Sequence, residues 1–391
     1  MLKHSFYRHM TRLRIMYFRK YGRYITSLTR LQKFLITITT LTIGYVIFVF
    51  SFYKVKLPRG VDENSYIPYE PEITSDFPTS VKEIPIIPHI IHQTYKTEDI
   101  PNYYAGFAKT FVDLNPTWQY YFWTDKAARQ LIQDKHSHLL PLWDNYHDPI
   151  NKADALRYVV LYEYGGVYVD LDFECLRPLD RVTYKYSCII PTEPFEQIAF
   201  RLYQPFLINN AILMTRPKHP FFKQLIDNLI YFQMQETNTD RVGPMFVTTQ
   251  YLLYNKFNAS DVQKVAHAPG STSPYIYKGR LPEDHEDAIY VPNTRYFMDS
   301  MDTHGFKETR YYWKCRDFNG LDVLQQRACI ELKKRGFNRK PNEFTFTKHH
   351  WFQAYNPLAR FLKYYFGWFF KVPKVNIFAI APRSKIYNYN M

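Results

Sequence analysis

The sequence predicts an α/β domain preceded by one membrane-spanning helix. From about residue 85 to residue 355, short apolar runs typical of buried strands alternate with segments of helical apolar spacing. A run of 20 uncharged residues precedes this part of the chain. The 391 residues are 46% hydrophobic and 18% aromatic, which excludes a disordered or collagen-like chain.

The net charge of +14 is concentrated near the N-terminus. Residues 1–60 contain 12 of the 50 lysines and arginines and no acidic residue, so the remaining chain has 38 basic against 36 acidic residues. A nearly neutral body argues against a nucleic-acid partner, because nucleic-acid binding needs a basic surface.

The uncharged run from Phe34 to Tyr53 has the length of a membrane anchor, since 20 residues at about 1.5 Å each span roughly 30 Å. A cleaved signal peptide would have small residues after its apolar core, whereas bulky ones follow here. Nine basic residues precede the run and three follow it closely. We therefore expect a cytosolic tail at 1–33, an anchor at 34–53 and a lumenal body. A signal peptide and a buried helix are the alternatives.

Prolines and scattered acids predict an extended stem at 54–84, before the domain at 85–355. The Ile-rich run after Ile84 and the segment Trp118–Trp123 predict strands, with a helix at Tyr103–Leu114 between them. The aromatic residues of 356–391 are interrupted by lysines, which predicts a segment at the membrane interface. A packed C-terminal helix and a pore-lining segment are the alternatives there.

The middle of the domain continues this alternation. Asp154–Tyr164 has the apolar spacing of a helix that is buried on one side, and Gly165 and Gly166 end it before a strand at Val167–Val169. Further segments predict a strand at Ala211–Thr215, helices at Phe221–Met234 and Met245–Leu253, and a strand at Ala288–Val291.

The four cysteines show no zinc-binding spacing. They can form three complete pairings, and both one or two disulfides and four buried free thiols remain open. The four are Cys175, Cys188, Cys315 and Cys329.

Asp170-Leu171-Asp172 follows the predicted strand directly. Residues i and i+2 of an extended chain point to the same side, so both carboxylates can converge on one divalent cation. Two exposed acids in a turn are the alternative for this tripeptide alone. The helix, turn and strand before it place the acids at the carboxyl end of a strand, where α/β sheets bind ligands.

The segment NKADALRYVVLYEYGGVYVDLDFECLRPLD resembles the central signature of the family 32 DXD glycosyltransferases. This family includes inositol phosphoceramide mannosyltransferases and the initiating α-1,6-mannosyltransferases of the fungal Golgi. The resemblance covers about residues 85–255 and includes Ile87–Thr94, Trp123–Asp125 and Gly243-Pro244. WDNYHDPINKADALRY and CLRPLD are most similar to the sphingolipid branch.

The resemblance implies a GT-A-like nucleotide-sugar-binding domain with a central mixed sheet and a bound Mn²⁺ or Mg²⁺. It implies a type II Golgi membrane enzyme that transfers a hexose with retention. Mannose from GDP-mannose is the favoured donor, with a glycolipid or glycan acceptor such as inositol phosphoceramide. A regulatory membrane subunit is a further partner to consider. The alternatives are UDP-sugar-dependent transfer of galactose or N-acetylglucosamine, and a catalytically silent binding module.

The resemblance also assigns roles to individual residues. It implies a catalytic set of Asp154, Arg157, Asp170 and Asp172. It implies a donor-binding set of Gln93, Thr94, Asp154, Arg157, Gly165, Gly166, Tyr168 and Asp170. The metal ligands that it implies are Asp170, Asp172 and His350 (or His349). Residues on the acceptor side could be Glu193, Asn209 and Asn210.

Overall fold

The structure is a computed structural model that describes residues 29–52, 57–60, 73–79, 84–258, 281–282, 284–302, 307–335, 342–352, 372–382 and 384–386. The chain divides into two compact units, residues 1–54 and 55–391. Most of the predicted cytosolic tail and parts of the predicted stem and C-terminal interfacial segment lie outside the described residues.

The first unit contains helix α1 (Arg30–Phe52), which covers all but the last residue of the predicted anchor. Its threonine hydroxyls donate to backbone carbonyls one turn earlier, as Thr37 does to Lys33. Among the residues that the structure describes, no helix is both long and apolar enough to cross a bilayer. The prediction of an anchor at 34–53 is therefore not supported by the described residues.

The second unit is an α/β domain. Its strands are β1 (Ile90–Thr94), β2 (Asp99–Pro101), β3 (Gln119–Trp123), β4 (Gly166–Val169), β5 (Phe173–Cys175), β6 (Cys188–Ile189), β7 (Ile212–Thr215), β8 (Thr347–His349), β9 (Lys374–Asn376) and β10 (Ser384–Ile386). Its helices are α2 (Ile73–Asp76), α3 (Asn102–Leu114), α4 (Asp125–Lys135), α5 (Leu140–Asn145), α6 (Pro149–Tyr164), α7 (Phe195–Leu202), α8 (Pro220–Phe232), α9 (Asn238–Arg241), α10 (Pro244–Tyr254), α11 (Thr294–Phe297), α12 (Lys307–Lys314), α13 (Val323–Arg335) and α14 (Ile377–Ile380).

Six strands form a mixed sheet in the order β10-β3-β1-β4-β7-β6. The neighbours β10 and β3, β3 and β1, and β1 and β4 are parallel, whereas β7 is antiparallel to both β4 and β6. Two smaller antiparallel pairs join β2 to β9 and β5 to β8. The predicted α/β class is therefore confirmed, and a mixed sheet with helices fits a GT-A-like domain.

Alternating residues of β4 pack into different layers of the domain. Tyr168 belongs to the hydrophobic core that contains the buried faces of α6, α8 and α10, whereas Val167 and Val169 belong to the core next to α3. All four residues of the strand are buried. Because the whole strand is buried at the centre of the domain, a ligand can meet this part of the chain at the end of β4.

Helix α6 begins five residues before the predicted start, at Pro149. The Asp148 side chain accepts a hydrogen bond from Ile150 N–H, and proline at the first helical position has no N–H to satisfy. The helix is buried throughout Asp154–Leu161 rather than on one side only, because it lies between the sheet and α8. It ends at Gly165, whose φ is 65°.

The C-terminal part of the chain adds elements that the sequence pattern did not predict. Strand β10 extends the sheet at β3, β9 pairs with β2, and β8 pairs with β5. The predicted strand at Ala288–Val291 was wrong, since Tyr290 makes only an isolated bridge to Ile189. Short strands of two or three residues carry too little periodicity to be recognised from sequence.

One of the open cysteine pairings is present. Cys315 and Cys329 form a disulfide, whereas Cys175 and Cys188 are buried free thiols. The disulfide joins α13 to the turn after α12, and both sulfurs lie in a small core with Phe195 and Ala199 of α7. It therefore supports the region behind α7.

Candidate functional site

The candidate site lies at the carboxyl ends of β1 and β4. These neighbouring strands are parallel, so Thr94 at the end of β1 and Asp170 just after β4 lie at the same edge of the sheet. Asp172 follows two residues later, and Asp154 and Arg157 reach the same edge from α6. The structure thus brings together the four residues of the predicted catalytic set.

A buried group of charged residues forms the middle of the site. The Arg157 guanidinium contacts Asp154 at 2.8 Å and Asp170 at 3.3 Å, and its side chain is only 4% exposed. It also donates to the Asn210 carbonyl, while the Asn210 amide donates to Asp154 over 3.0 Å. We call Asp154, Arg157, Asp170 and Asn210 the central cluster. One buried arginine holds two carboxylates there in fixed positions.

Burial and charge act against each other in this cluster. Burial raises the pKa of Asp154 to about 7, and the Arg157 charge opposes this shift. Burial also raises the pKa of Asp170, again against Arg157. Burial acts to lower the pKa of Arg157, but the acidic and phenolic groups around it stabilise its charge. The Arg157 pKa is therefore raised. The cluster therefore keeps a permanent cation between two acids that are easier to protonate than usual.

The carboxylate of Asp172 is held by the C-terminal part of the chain. Its Oδ2 accepts a hydrogen bond from Phe352 N–H over 2.8 Å and lies 3.2 Å from His349 Nε2. Burial opposes ionisation, but His349 and this N–H group outweigh it and hold the pKa of Asp172 below its usual value. Asp172 is therefore the carboxylate in the site that most readily stays ionised.

The structure distinguishes the two histidines that the sequence left open. His349, the last residue of β8, faces Asp172, whereas His350 Nε2 lies 2.9 Å from Glu174 and its ring stacks on Phe107. Pairing of β8 with β5 sets this alternation, because neighbouring residues of a strand point to opposite sides. His349, and not His350, is thus the histidine next to the DXD carboxylates.

Asp172 and His349 fit a divalent metal ion. Asp172 Oδ2 and His349 Nε2 lie 3.2 Å apart as a hydrogen-bonded pair, and both atoms are of the kinds that such an ion accepts as ligands. Carboxylate oxygens suit Mg²⁺ and Mn²⁺. Within the described parts of the chain, no cluster of three or more His, Cys, Asp or Glu side chains is arranged to hold a metal. Asp172 and His349 are the two residues here that would hold an ion, and binding would release the proton that they share.

Three residues predicted to bind the donor lie behind the central cluster. Gln93 is buried, accepts a hydrogen bond from the Tyr120 hydroxyl and donates to the Asp170 carbonyl over 3.4 Å. Thr94 donates its hydroxyl to the Trp123 carbonyl. Tyr168 is also buried, donates to Asp170 over 2.9 Å, and carries Arg157 over its ring. These contacts make Gln93 and Tyr168 supports of Asp170, and the Tyr168 ring face is occupied by Arg157 rather than open to a ligand.

Gly165 and Gly166 are required by the protein itself. Both have positive φ, and a Cβ on Gly166 would lie 2.5 Å from the Ile90 carbonyl oxygen. A Cβ on Gly165 would lie 2.7 Å from Pro217. At these two glycines the backbone approaches β1 and Pro217 closely, which allows β4 to start immediately after α6.

His92 is a site-supporting residue that the sequence reasoning missed. Its Nδ1 accepts a hydrogen bond from Trp123 Nε1–H over 3.1 Å, so Nε2 carries the proton and donates to the Gly165 carbonyl over 2.8 Å. Burial lowers the His92 pKa to about 4, which keeps the ring neutral as this pairing requires. His92 thus connects β1, β3 and the glycine turn before the DXD residues. The only indication of this role in the sequence was the position of His92 within the motif Ile87–Thr94.

Comparisons with known proteins agree with this geometry. Residues 101–189 match the family described as "Glycosyltransferase sugar-binding region containing DXD motif". Mannosyl phosphorylinositol ceramide synthase SUR1 of Saccharomyces cerevisiae is 36% identical over 177 residues, which is 44% of each chain. Inositol phosphoceramide mannosyltransferase 2 of Schizosaccharomyces pombe is 35% identical over 159 residues, 41% of this chain and 43% of that protein. The matched segments therefore span less than half the length of these relatives.

A solved structure titled "PaToxG Glycosyltransferase" is similar at a TM-score of 0.36 and 15% identity, covering 46% of this chain and 72% of that one. The sequence matches and the DXD geometry point to the same part of the domain. The resemblance to the family 32 DXD glycosyltransferases is thereby confirmed, with residues 101–189 as the part of this chain that matches the family.

Proposed function

We propose that this protein is a metal-dependent mannosyltransferase that transfers mannose from GDP-mannose to inositol phosphoceramide. The observation that carries the proposal is the buried central cluster, with Asp172 and His349 beside it. Asp154, Arg157, Asp170 and Asp172 lie inside the region that matches the glycosyltransferase family, and Asn210 and His349 reach them from outside it. The named activities of the similar yeast proteins support mannose as the sugar and an inositol phosphoceramide as the acceptor.

The charges of the site suit a nucleoside diphosphate donor. When bound, a divalent ion at Asp172 and His349 supplies positive charge that stabilises the departing diphosphate. Arg157 adds a fixed cation in a place from which water is largely excluded, so that its field is weakly screened. Asp154 and Asp170 hold this guanidinium in position without reorganisation during the reaction.

We further propose that transfer retains the anomeric configuration of mannose. In this reaction the bond from the anomeric carbon to the phosphate oxygen breaks, and a bond to the acceptor oxygen forms on the same face. The leaving phosphate takes the proton of the acceptor hydroxyl, so no protein base is needed. Proton NMR of the newly formed glycoside tests this directly, because an inverted product would contradict retention.

The test of the donor is a panel of nucleotide sugars given to the purified full chain, first with Mn²⁺ and then with a chelator. We expect turnover of GDP-mannose that needs Mn²⁺ and increases when inositol phosphoceramide is added. Preference for a UDP-sugar would replace the mannosyl assignment with galactosyl or N-acetylglucosaminyl transfer. Absence of binding to every donor under both conditions would favour a silent binding module.

We also propose that the protein works at a Golgi membrane. The acceptor proposed here is a membrane lipid, so the enzyme has to meet a bilayer surface. Co-fractionation of the full chain with Golgi markers tests the location. Recovery in another membrane fraction would contradict it.

A further inference from the structure

Beside the central cluster lies a buried carboxyl that the proposed mechanism does not use. Glu193 precedes α7 and is only 5% exposed. Its Oε2 accepts a hydrogen bond from Gln197 over 2.9 Å, and the Gln197 oxygen accepts one from Asp302 N–H over 2.8 Å. We call Glu193, Gln197 and Asp302 the side wall.

The backbone attaches this wall directly to the central cluster. Glu193 N–H donates to the Leu207 carbonyl, and Asn209 N–H donates to the Pro191 carbonyl. The paired segment then continues to Asn210, which binds both Asp154 and Arg157. Two backbone hydrogen bonds therefore join the extended segment of Glu193 to the extended segment that leads to Asn210 in the central cluster.

The other end of the site also reaches Glu193. The imidazole of His349 interacts electrostatically with Glu193 and with both Asp170 and Asp172. Its Nδ1 is buried and makes no hydrogen bond among the described residues. Glu193 therefore lies near enough to His349 for their charges to interact, and His349 in turn contacts Asp172.

The second oxygen of Glu193, Oε1, makes no hydrogen bond within the parts of the chain that the structure describes, whereas Oε2 is held by Gln197. A carboxyl in a largely buried position costs free energy to ionise, because most of the water around it is excluded. Burial accordingly raises the Glu193 pKa, with Arg201 acting against the shift. An oxygen fixed in place and open on one side is suited to accept a hydrogen bond from a ligand.

The negative charge of an ionised Glu193 favours some ligands over others. The central cluster contains carboxylates too, but it also holds the Arg157 cation, whereas the hydrogen-bond partner of Glu193 is the neutral Gln197 amide. The phosphates therefore belong near Arg157 and a metal ion at Asp172 rather than at Glu193. A hydroxyl group, in contrast, donates well to a buried carboxylate oxygen. The hydroxyl-rich part of a substrate therefore belongs at the side wall.

We propose that Glu193 binds a hydroxyl of the polyol ring of the acceptor and so positions that acceptor for transfer. This inference rests on the proposed function, because it takes the acceptor to be a lipid with an inositol head group. Glu193 then determines acceptor affinity and orientation, and the central cluster determines donor use. Gln197 fixes the rotamer of Glu193 and does not itself contact the acceptor.

The test compares donor and acceptor kinetics in the full-length Glu193→Gln protein. Because Gln197 donates to the side chain at position 193, the new amide oxygen is held there and an NH₂ group replaces the acceptor oxygen facing the ligand. We expect kcat/KM for inositol phosphoceramide to fall roughly 10- to 100-fold, the usual range for a lost hydrogen bond to a charged group. Hydrolysis of GDP-mannose without acceptor should keep its KM within about twofold.

The matched control is Glu163→Gln. Glu163 is also poorly exposed and is hydrogen-bonded, but its partners are His136 and Lys218, away from the site. This variant should leave both reactions unchanged. Equal loss of donor hydrolysis and transfer in Glu193→Gln would overturn the inference, as would unchanged acceptor kinetics.

A binding measurement separates this inference from the proposed function. Glycerophosphoinositol, a soluble form of the head group, is titrated into the wild-type, Glu193→Gln and Glu193→Asp proteins by calorimetry. We expect binding to the wild type, weaker binding to Glu193→Asp and the weakest to Glu193→Gln. Absence of Mn²⁺-dependent donor turnover in the wild type would defeat the proposed function alone, whereas equal head-group affinity in all three proteins would defeat the role of Glu193.

Discussion

The central cluster and the side wall are joined through the segment of Asn210 but are built in different ways. Asp154, Arg157 and Asp170 come from one helix, one turn and one strand that follow each other directly, and lie within the region that matches the family. The side wall joins Glu193 and Gln197 to Asp302, which is 105 positions away from Gln197. The first can be recognised as a sequence pattern, whereas the second exists only after folding.

The supports of the two regions differ as well. The central cluster rests on buried strands of the main sheet and on the glycine turn that His92 binds. The side wall rests on α7, which packs against the disulfide-linked pair of α13 and the turn after α12. Damage to the sheet should therefore affect donor use, and damage to the disulfide should affect acceptor use.

The largest effect should follow from Asp172→Ala, which removes the carboxylate that contacts His349 and Phe352 N–H. We expect transfer to fall roughly 10³-fold and the stimulation by Mn²⁺ to disappear, since the charge on the departing diphosphate is no longer balanced. Initial rates at several Mn²⁺ concentrations measure this. Asp144→Ala is the control, because Asp144 forms a surface pair with Arg129. Normal Mn²⁺ stimulation in Asp172→Ala would remove the DXD residues from the reaction.

A second substitution should break the support of the central cluster. Gly166→Ala places a methyl group 2.5 Å from the Ile90 carbonyl oxygen, at a φ of 95°. We expect the free energy of unfolding to fall by about 3 kcal/mol. Urea denaturation followed by fluorescence measures the change.

Gly106→Ala is the matched control for this substitution. Gly106 lies within α3 and has no heavy atom within 4 Å of an added Cβ. The free energy of unfolding should rise by about 0.5–1 kcal/mol, since alanine favours the helix. Equal effects of the two substitutions would show that the glycine turn is not a constrained part of the fold.

Removal of the disulfide should separate the two regions by function. Cys315→Ser with Cys329→Ser opens a link across 14 positions, which by chain entropy costs about 2–3 kcal/mol of stability. We expect KM for the lipid acceptor to increase more than KM for GDP-mannose, because α7 carries Gln197. Dithiothreitol should reproduce the effect in the wild type and add nothing to the variant. Equal changes in both KM values would contradict separate supports.

The last effect concerns the pH dependence of stability through His92. Its pKa is lowered to about 4 in the folded protein, so below an unfolded pKa of about 6.5 the unfolded chain binds more protons. Stability should therefore be lost as the pH falls from about 6.5 to 4, by up to about 1.4 kcal/mol per pH unit for this histidine. Urea denaturation at several pH values measures the slope, and His92→Gln should reduce it. An unchanged slope would show that His92 contributes no pH dependence.

The positions of several helices and strands could be predicted from the sequence, because the apolar pattern of each depends only on its own residues. The helices α3, α8 and α10 and the strands β3, β4 and β7 lie close to their predicted positions. The short strands β8, β9 and β10 could not be predicted, since two or three residues carry no usable period and their partners lie far along the chain. The choice between His349 and His350 depended on β8, and so it was open until the pairing with β5 was known.

The sequence by itself determined the α/β class, the helix, glycine turn and strand that place Asp154, Arg157, Asp170 and Asp172 together, and the resemblance to a DXD glycosyltransferase. These features depend on neighbours within about 20 residues, so pattern and spacing are sufficient. Only the tertiary structure decided which histidine meets Asp172, which cysteines pair, and how Glu193 is held by Gln197 and Asp302. The histidine and the side wall depend on contacts between distant segments. The two cysteines are only 14 positions apart, but several pairings were open and packing selects among them.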